Sequence, residues 1–266
     1  MGKRLTIHDI VDFKSRGEPI AALAAYDYFT AKFIDRAGAD IILIGDSMNM
    51  VVYGEETTLT LDLEQSIYHT RAVARAVERA LVVGDMPFLS YQPSPRDAVF
   101  SAGELIRAGA QAVKLEGGRA FLDHIGAILD AGIPVMGHLG MTPQSFHKFG
   151  GYRLVGKDAE EASRVLDAAI ALTEAGVFSI VLEKIPSALA RKITETVDIP
   201  IIGIGAGPYC DGQILVVNDI LGLFDDFSPK FARKYADLAG IITESAANFV
   251  QDVKNKEFPN KSESYK

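Results

Sequence analysis

Short runs of apolar, often β-branched residues recur along the whole 266-residue chain, and they constrain its fold more than any other feature. Seven runs are clear, at residues 20–25, 41–44, 81–83, 112–115, 134–136, 179–182 and 199–204, and a weaker eighth lies near 214–217. Each is apolar nearly throughout instead of alternating with polar residues, which is typical of strands in a parallel sheet covered on both faces. We therefore interpret the eight runs as parallel strands.

Between these runs lie segments with apolar residues three and four positions apart, the spacing of amphipathic helices. They cover residues 63–78, 95–108, 121–131, 159–174 and 187–196. An Ala-Gly pair precedes the next strand at 37–39, 108–110, 131–133 and 175–177, and glycine is common just after a helix. Alternating strands and helices predict an α/β fold, a single-domain (β/α)8 TIM barrel. An open, doubly wound sheet would give a similar pattern and stays an alternative.

The expected domain organisation follows from the length of the chain, because (β/α)8 barrels need about 250 residues. We expect the barrel to occupy residues 1–253 and to end in a closing helix at 231–250. Residues 254–266 are polar and are expected to form a loose tail.

Charge and composition exclude several classes of function. The formal net charge is -8 and basic residues form no cluster, so no nucleic-acid partner is expected. Cys210 is the only cysteine, which rules out an internal disulfide and fits a reducing compartment. The N-terminus lacks the apolar core of a secretory signal, and no apolar run reaches the roughly 18 residues of a membrane span. We therefore expect a cytoplasmic protein with no membrane partner.

Ionisable residues end or directly follow at least five of the predicted strands. They are Asp27, Asp46, Asp85, Glu116, His138 and Glu183. In a parallel barrel these strand ends converge on one mouth, where active sites are built. A single aspartate there is often only a helix cap, but several carboxylates in a partly buried mouth repel one another unless a cation compensates them. Two or three carboxylates with open positions suit Mg²⁺ better than zinc, so we predict a divalent metal site.

Lys114 and His138 are candidate substrate-binding groups at the same mouth. Lys114 lies two residues before Glu116, so both side chains are expected on one face of their strand. A lysine there would meet a substrate carboxylate or a developing oxyanion, or would form a Schiff base if its pKa were lowered. His138 could bind the metal, donate a hydrogen bond to an anionic substrate, or be a structural core histidine.

Two glycine-containing segments are weaker signals. Residues 203–207 resemble a phosphate-binding turn, although alternate glycines can also merely permit a close backbone approach. The loop that begins at Gly150 could act as a lid or be a flexible connector.

The segments around these residues resemble the ketopantoate hydroxymethyltransferase family, and together they span most of the chain. They are residues 45–47, 57–59, 84–88, 113–118, 134–140, 142–145, 181–183, and 202–207 running into 210–213. The resemblance implies a folate-dependent enzyme of pantothenate synthesis that assembles as a large, decamer-like homo-oligomer. Two departures concern loop geometry and cofactor fit: Asn49 stands where the family usually has glycine, and loop 152–157 lacks the usual glutamine before Gly156.

The resemblance also implies a role for each site residue. One Mg²⁺ per subunit would be held by Asp46, Asp85 and Glu116. The 2-oxo acid would be contacted by Asp46, Ser47, Asp85, Lys114 and His138. Glu183 would be the catalytic base.

The chemistry expected of such a set is enolate formation. A 2-oxo acid such as 3-methyl-2-oxobutanoate would chelate Mg²⁺ through its carboxylate and ketone oxygens, which acidifies the proton on C3. Glu183 would remove that proton. The enolate, held by the metal and Lys114, would attack the one-carbon unit of the co-substrate 5,10-methylenetetrahydrofolate, and hydrolysis would give 2-dehydropantoate and tetrahydrofolate.

Two other functions stay open at this point. One is a different metal-dependent enolate enzyme of the phosphoenolpyruvate mutase and isocitrate lyase kind, which should carry a mobile loop with a reactive cysteine. Cys210 is the only candidate for that cysteine. The other is a non-catalytic barrel that binds keto acids.

Overall fold

Eight parallel strands form a closed barrel in the computed structural model, and each strand pairs with the next one along the chain. They are β1 Ile20–Ala24, β2 Ile41–Ile44, β3 Leu81–Asp85, β4 Ala112–Glu116, β5 Val135–Gly140, β6 Ser179–Glu183, β7 Ile201–Ile204 and β8 Gly212–Val216. The sheet closes where β8 pairs in parallel with β1 along its whole length. The structure describes residues 3–224 and 229–265. The predicted (β/α)8 TIM barrel is confirmed, and the open doubly wound sheet is excluded.

The chain forms two compact units, residues 1–216 and 217–266. The first unit contains the eight strands and the helices α1 Ile7–Arg16, α2 Tyr28–Arg36, α3 Met48–Val51, α4 Leu63–Ala76, α5 Pro95–Arg107, α6 Leu122–Asp130, α7 Phe146–Phe149, α8 Ala159–Ala175 and α9 Ser187–Thr196. Short 3-10 turns lie at Arg119–Phe121 and Pro143–Ser145. The second unit contains α10 Val217–Leu221, α11 Leu238–Asn255 and a 3-10 turn at Lys261–Glu263.

Polar side chains begin the helices of the barrel at positions that the sequence marks. In α4, Asp62 accepts a hydrogen bond from the backbone N–H of Gln65 at 2.8 Å, and the Gln65 side chain accepts one from the N–H of Asp62 at 2.9 Å. Asp27 begins α2 by accepting hydrogen bonds from the N–H groups of Phe29 and Thr30, each at 3.0 Å. Asp27 therefore serves as a helix cap, although it follows a strand as the candidate site acids do.

Three of the strands that carry the candidate site, β2 to β4, are buried along their whole length. Every residue of β2, β3 and β4 is buried, including Asp85, Lys114 and Glu116. Burying a charged group costs free energy unless it is paired and hydrogen-bonded. Each of these three side chains therefore needs an oppositely charged or hydrogen-bonding partner inside the barrel.

Gly140 allows the end of β5 to lie against the end of β6. Its φ angle is +94°, and a Cβ atom at this position would lie 2.2 Å from the carbonyl oxygen of Glu183. The next residue, Met141, donates a backbone hydrogen bond to that same oxygen at 2.8 Å. Only glycine fits this approach without strain, and the contact positions the backbone of Glu183.

The second unit differs from the sequence prediction. The helix expected at 231–250 is α11, which begins at Leu238 and ends at Asn255. The start is later because Asp237 caps the helix, with its side chain accepting a hydrogen bond from the N–H of Gly240 at 3.2 Å. A loose tail was expected at 254–266, but its first two residues belong to this helix. The division of the chain into a barrel at 1–253 and a tail at 254–266 stays a prediction. Within the described ranges, no helix is long and apolar enough to cross a membrane.

Candidate active site

Five consecutive strands bring the candidate site residues together at their carboxyl ends. Asp46 follows β2, Asp85 ends β3, and Lys114 lies in β4. The backbone N–H of Asp46 donates a hydrogen bond to Oδ2 of Asp85 at 3.1 Å. Lys114 forms an ion pair with the other oxygen of Asp85, with 2.7 Å between Nζ and Oδ1. Lys114 and Glu116 were expected on one face of their strand because they lie two residues apart. Their placement fits that prediction, since both are buried at the same mouth.

His138 connects the remaining two acids of the site. Its Nδ1 lies 3.3 Å from Oε1 of Glu116, and its Nε2 lies 3.3 Å from Oε2 of Glu183. His138 is therefore not an isolated histidine of an apolar core, because both ring nitrogens face carboxylates. Lys114 lies next to the same ring, with 3.4 Å between Nζ and Nδ1.

Two acids of the site, Asp46 and Asp85, resist ionisation in the absence of a cation. Burial raises the pKa of Asp46 to about 6, and the nearby charge of Glu116 adds to this effect. Burial likewise raises the pKa of Asp85 to about 6, although the ammonium of Lys114 opposes the rise. Neutral forms of buried carboxyl groups are favoured until a positive charge compensates them.

The two nitrogen groups of the site are held in their charged forms. Burial opposes the charge on Lys114, but the carboxylates around it, Asp85 first among them, outweigh burial and raise its pKa above the ordinary range. Burial and Lys114 oppose protonation of His138, yet hydrogen bonds to Glu116 and Glu183 raise its pKa to about 9. A Schiff base requires a neutral amine, so the raised pKa of Lys114 argues against that role.

Ser47 lies at the edge of the same site and is held by a tyrosine. Its Oγ is 2.8 Å from the phenolic oxygen of Tyr26, which follows β1. The departure at Asn49 also has a structural explanation, because its side-chain amide donates hydrogen bonds to the carbonyl of Thr57 at 2.7 Å and to Oγ1 of Thr60 at 2.8 Å. Asn49 therefore pins the loop after β2 and does not face the acids as a ligand.

The carboxylates suit a hard cation in chemistry, although they are not arranged as a finished metal cage. Among the described residues, no group of three or more His, Cys, Asp or Glu side chains already has a metal-binding arrangement. Oδ1 of Asp85 and Oε1 of Glu116 are buried and lie beside nitrogen groups, with 2.7 Å to Nζ of Lys114 and 3.3 Å to Nδ1 of His138. Oxygen atoms of this kind are the ligands that Mg²⁺ prefers.

Sequence reasoning did not single out Gln144 as a site residue. It follows β5 in the turn Pro143–Ser145, and its side-chain Nε2 donates a hydrogen bond to Oδ2 of Asp46 at 3.0 Å. Its backbone N–H donates to Oε2 of Glu116 at 2.9 Å. The signal was present in segment 142–145, which carries part of the family resemblance.

The loop that begins at Gly150 is tied to the mouth of the barrel. The hydroxyl of Tyr152 lies 3.3 Å from Sδ of Met50, and Nζ of Lys184 donates to the carbonyl of Tyr152 at 3.1 Å. Burial raises the pKa of Tyr152 to about 12, and the charge of Asp46 contributes to the rise. This loop therefore lies near the acids, while its role as a lid stays a prediction.

Two other sequence signals have packing explanations. A Cβ at Gly207 would lie 2.4 Å from Cβ of Ser187, and one at Gly203 would lie 2.9 Å from Sγ of Cys210, so these glycines permit close approach. Burial raises the pKa of Cys210 to about 11. A thiol that stays protonated is a poor nucleophile, which argues against a reactive cysteine in this chain.

Replacing Asp46 by Asn is expected to stabilise the metal-free protein at neutral and higher pH. The raised pKa means that the folded state keeps a proton that the unfolded state loses, so the penalty is present above about pH 6 and disappears as the pH falls toward 4. The expected gain in unfolding free energy is about 1–3 kcal/mol near pH 8. Urea unfolding in EDTA, at pH 8 and near pH 4, measures the gain in unfolding free energy. Asp12→Asn, which changes an exposed aspartate, is the control. An equal gain at both pH values would contradict the account.

Known proteins resemble this chain along its whole length. The family model described as ketopantoate hydroxymethyltransferase matches residues 4–261. The 3-methyl-2-oxobutanoate hydroxymethyltransferase of Geobacter metallireducens is 52% identical over 266 residues, covering 100% of both chains. The protein of the same name from Syntrophomonas wolfei is 52% identical over 257 residues, covering 96% of this chain and 93% of its own.

Solved structures share the fold at low sequence identity. A 2,3-dimethylmalate lyase, described as a PEP mutase/isocitrate lyase superfamily member, has a TM-score of 0.63 at 14% identity, covering 98% of this chain and 92% of its own. A phosphonopyruvate hydrolase solved with oxalate and Mg++ has a TM-score of 0.61 at 14% identity, covering 97% and 93%. These similarities concern the barrel alone, whereas the sequence matches extend over the residues of the site. The chain therefore belongs to the ketopantoate hydroxymethyltransferase family and is a hydroxymethyltransferase enzyme.

Proposed function

We propose that the enzyme transfers a hydroxymethyl group from 5,10-methylenetetrahydrofolate to 3-methyl-2-oxobutanoate and so produces 2-dehydropantoate for pantothenate and coenzyme A synthesis. The names of the full-length relatives support 3-methyl-2-oxobutanoate as the acceptor of the hydroxymethyl group. The observation that carries the proposal is the buried network of Asp85, Lys114, Glu116, His138 and Glu183 at one barrel mouth. Such a network places a base beside groups that can hold an anionic substrate.

Asp46, Asp85 and Glu116 would hold one Mg²⁺ per subunit. Their support is the chemistry of the donor set, since all three are buried carboxylates and Mg²⁺ prefers oxygen ligands. When bound, the cation would polarise the ketone and acidify the proton on C3 of the 2-oxo acid. A bound cation would also favour the ionised forms of Asp46 and Asp85, which burial disfavours by raising their pKa values.

Lys114 and Ser47 would orient the 2-oxo acid. The ammonium of Lys114 is buried and charged, so it can attract the substrate carboxylate and stabilise negative charge that develops on the ketone oxygen. Ser47 would donate or accept a hydrogen bond at the edge of the site, with its hydroxyl oriented by Tyr26. His138, protonated between two acids, would add a second positive charge beside the substrate.

Glu183 would remove the proton from C3. Its side chain is 15% exposed, whereas that of His138 is 4% exposed, so Glu183 is the more exposed member of this pair. The hydrogen-bonded His138 would orient the carboxylate, and Gly140 positions the backbone behind it. A base within hydrogen-bond reach of the carbon acid is the requirement for this step.

The one-carbon donor would reach the substrate from the open mouth of the barrel. The carbanion at C3 would form a bond to the methylene carbon of the folate as one of the two C–N bonds of that carbon breaks. Water would then break the second C–N bond and supply the hydroxyl group, and tetrahydrofolate would leave with both nitrogens protonated. We place this reaction in the cytoplasm and expect a decamer-like homo-oligomer, in line with the family resemblance. The small molecules would be its only substrates, with no nucleic-acid or membrane partner.

A purified sample is expected to consume 3-methyl-2-oxobutanoate only when methylenetetrahydrofolate and Mg²⁺ are both supplied. The physical reason is that the buried acids need a cation before they can accept a chelating anionic substrate. Turnover is followed by chromatography of 2-dehydropantoate, before and after chelation and again after Mg²⁺ is restored. Undiminished turnover after thorough chelation would overturn the metal role.

Replacing Glu183 by Gln is expected to abolish deuterium exchange at C3 of the keto acid while leaving its binding within about threefold of the wild type. The amide keeps the shape of the side chain but cannot accept the proton, and loss of a general base costs 10²–10⁴-fold in rate. Exchange is measured by proton NMR in D₂O, and binding by calorimetry. The control is Glu195→Gln, which alters an exposed ion pair with Arg191. Retained exchange would remove Glu183 as the base.

A further inference from the structure

All four hydrogen-bonding positions of the Gln144 side chain are occupied in a buried site. Its Nε2 donates to Oδ2 of Asp46 at 3.0 Å and to the carbonyl of Met86 at 2.9 Å. Its Oε1 accepts from Nε2 of Gln92 at 3.0 Å and lies 3.2 Å from the hydroxyl of Tyr91, whose single proton is shared with the carbonyl of Glu116 at 2.9 Å. Gln144 is only 7% exposed, so water cannot readily replace these partners.

These partners allow only one orientation of the amide. The carbonyl of Met86 can only accept, so a reversed amide would place its own oxygen against an acceptor and against a carboxylate. Gln144 therefore presents its N–H groups to Asp46 in a fixed direction.

The same residue controls a second acid through its backbone. The N–H of Gln144 donates to Oε2 of Glu116 at 2.9 Å. Side chain and backbone together therefore hold one oxygen of Asp46 and one oxygen of Glu116. Asp85 is held in the same manner, because its Oδ2 accepts from the N–H of Asp46 at 3.1 Å.

Holding one oxygen of a carboxylate leaves the other to serve as a single ligand. In Glu116 this other oxygen is Oε1, which is buried and lies 3.3 Å from Nδ1 of His138. In Asp85 it is Oδ1, which forms the ion pair with Lys114. Mg²⁺ requires a small octahedral shell at 2.0–2.1 Å, whereas Ca²⁺ accepts six to eight oxygens and often binds both oxygens of a carboxylate. Carboxylates that can offer only one oxygen to a metal therefore match the smaller cation.

We propose that Gln144 is a positioning residue that restricts Asp46 and Glu116 to coordination through one oxygen each and so makes the site selective for Mg²⁺ over Ca²⁺. This inference rests on the proposed metal site. It assigns no contact between Gln144 and the metal or the substrate, because Gln144 acts through Asp46 with its side-chain amide and through Glu116 with its backbone N–H.

The test is the affinity of the metal-free full-length enzyme for Mg²⁺ alone and for Ca²⁺ alone, measured by calorimetry. Gln144→Met keeps the length of the side chain and removes its donors, while the backbone N–H to Glu116 remains. Loss of such outer contacts costs 10–100-fold in metal affinity. We expect a loss of about 10-fold or more for Mg²⁺ and a smaller loss for Ca²⁺, so that the selectivity shifts toward Ca²⁺.

Gln92→Met is the matched control, because it makes the same substitution in the same network without touching an acid. It should leave both affinities within about twofold of the wild type. Melting curves in EDTA check that the variants fold, and Gln144→Asn, which keeps a polar amide too short to reach Asp46, replaces Gln144→Met if the latter does not fold.

The outcomes separate the inference from the function it rests on. A wild-type enzyme that binds no Mg²⁺ would overturn the proposed metal site and the inference with it. A wild type that binds Mg²⁺, combined with an unchanged Mg²⁺ affinity or an equal loss for both ions in the Gln144 variant, would overturn the inference alone. An equal loss in the Gln92 variant would also overturn it, because the effect would then be general to the network.

Discussion

The constraint on which this structure depends is the burial of several like charges at one barrel mouth. Six ionisable side chains share the space: Asp46, Asp85, Lys114, Glu116, His138 and Glu183. When all are ionised, four carboxylates face two cationic groups, so this set carries two uncompensated negative charges. Buried charges of this kind destabilise a protein unless a partner compensates them. One divalent cation would supply the missing charge, and this is the central claim of the proposed function.

The barrel makes this arrangement possible because its wall is stable for other reasons. Closure of β8 on β1 leaves no exposed sheet edge, and the fully buried strands β2 to β4 supply a large apolar core. Local devices then set the geometry at the mouth. Gly140 lets β5 and β6 end side by side, and Asn49 holds the loop after β2. The free-energy cost of burying the acids therefore arises at a few residues, while the remaining residues of the barrel stabilise the fold.

Most of the fold could be predicted from the sequence, because strands buried on both faces leave continuous apolar runs. The run at 81–83, for example, became β3 Leu81–Asp85, and the ionisable residue at its end marked the mouth. The helix at 231–250 was misplaced because apolar periodicity does not fix where a helix begins, whereas the cap at Asp237 does. Gln144 could not be identified because its role depends on side-chain direction in a short 3-10 turn, which periodicity does not report.

The most direct test of the central claim is the location of a bound cation. Crystals of the enzyme grown with Mn²⁺, which carboxylate sites for Mg²⁺ generally accept, would be measured at the manganese absorption edge. The account predicts one anomalous peak per subunit, within about 2–2.5 Å of oxygens from Asp46, Asp85 and Glu116. A mouth that holds no peak, or a peak bound without these three carboxylates, would contradict it.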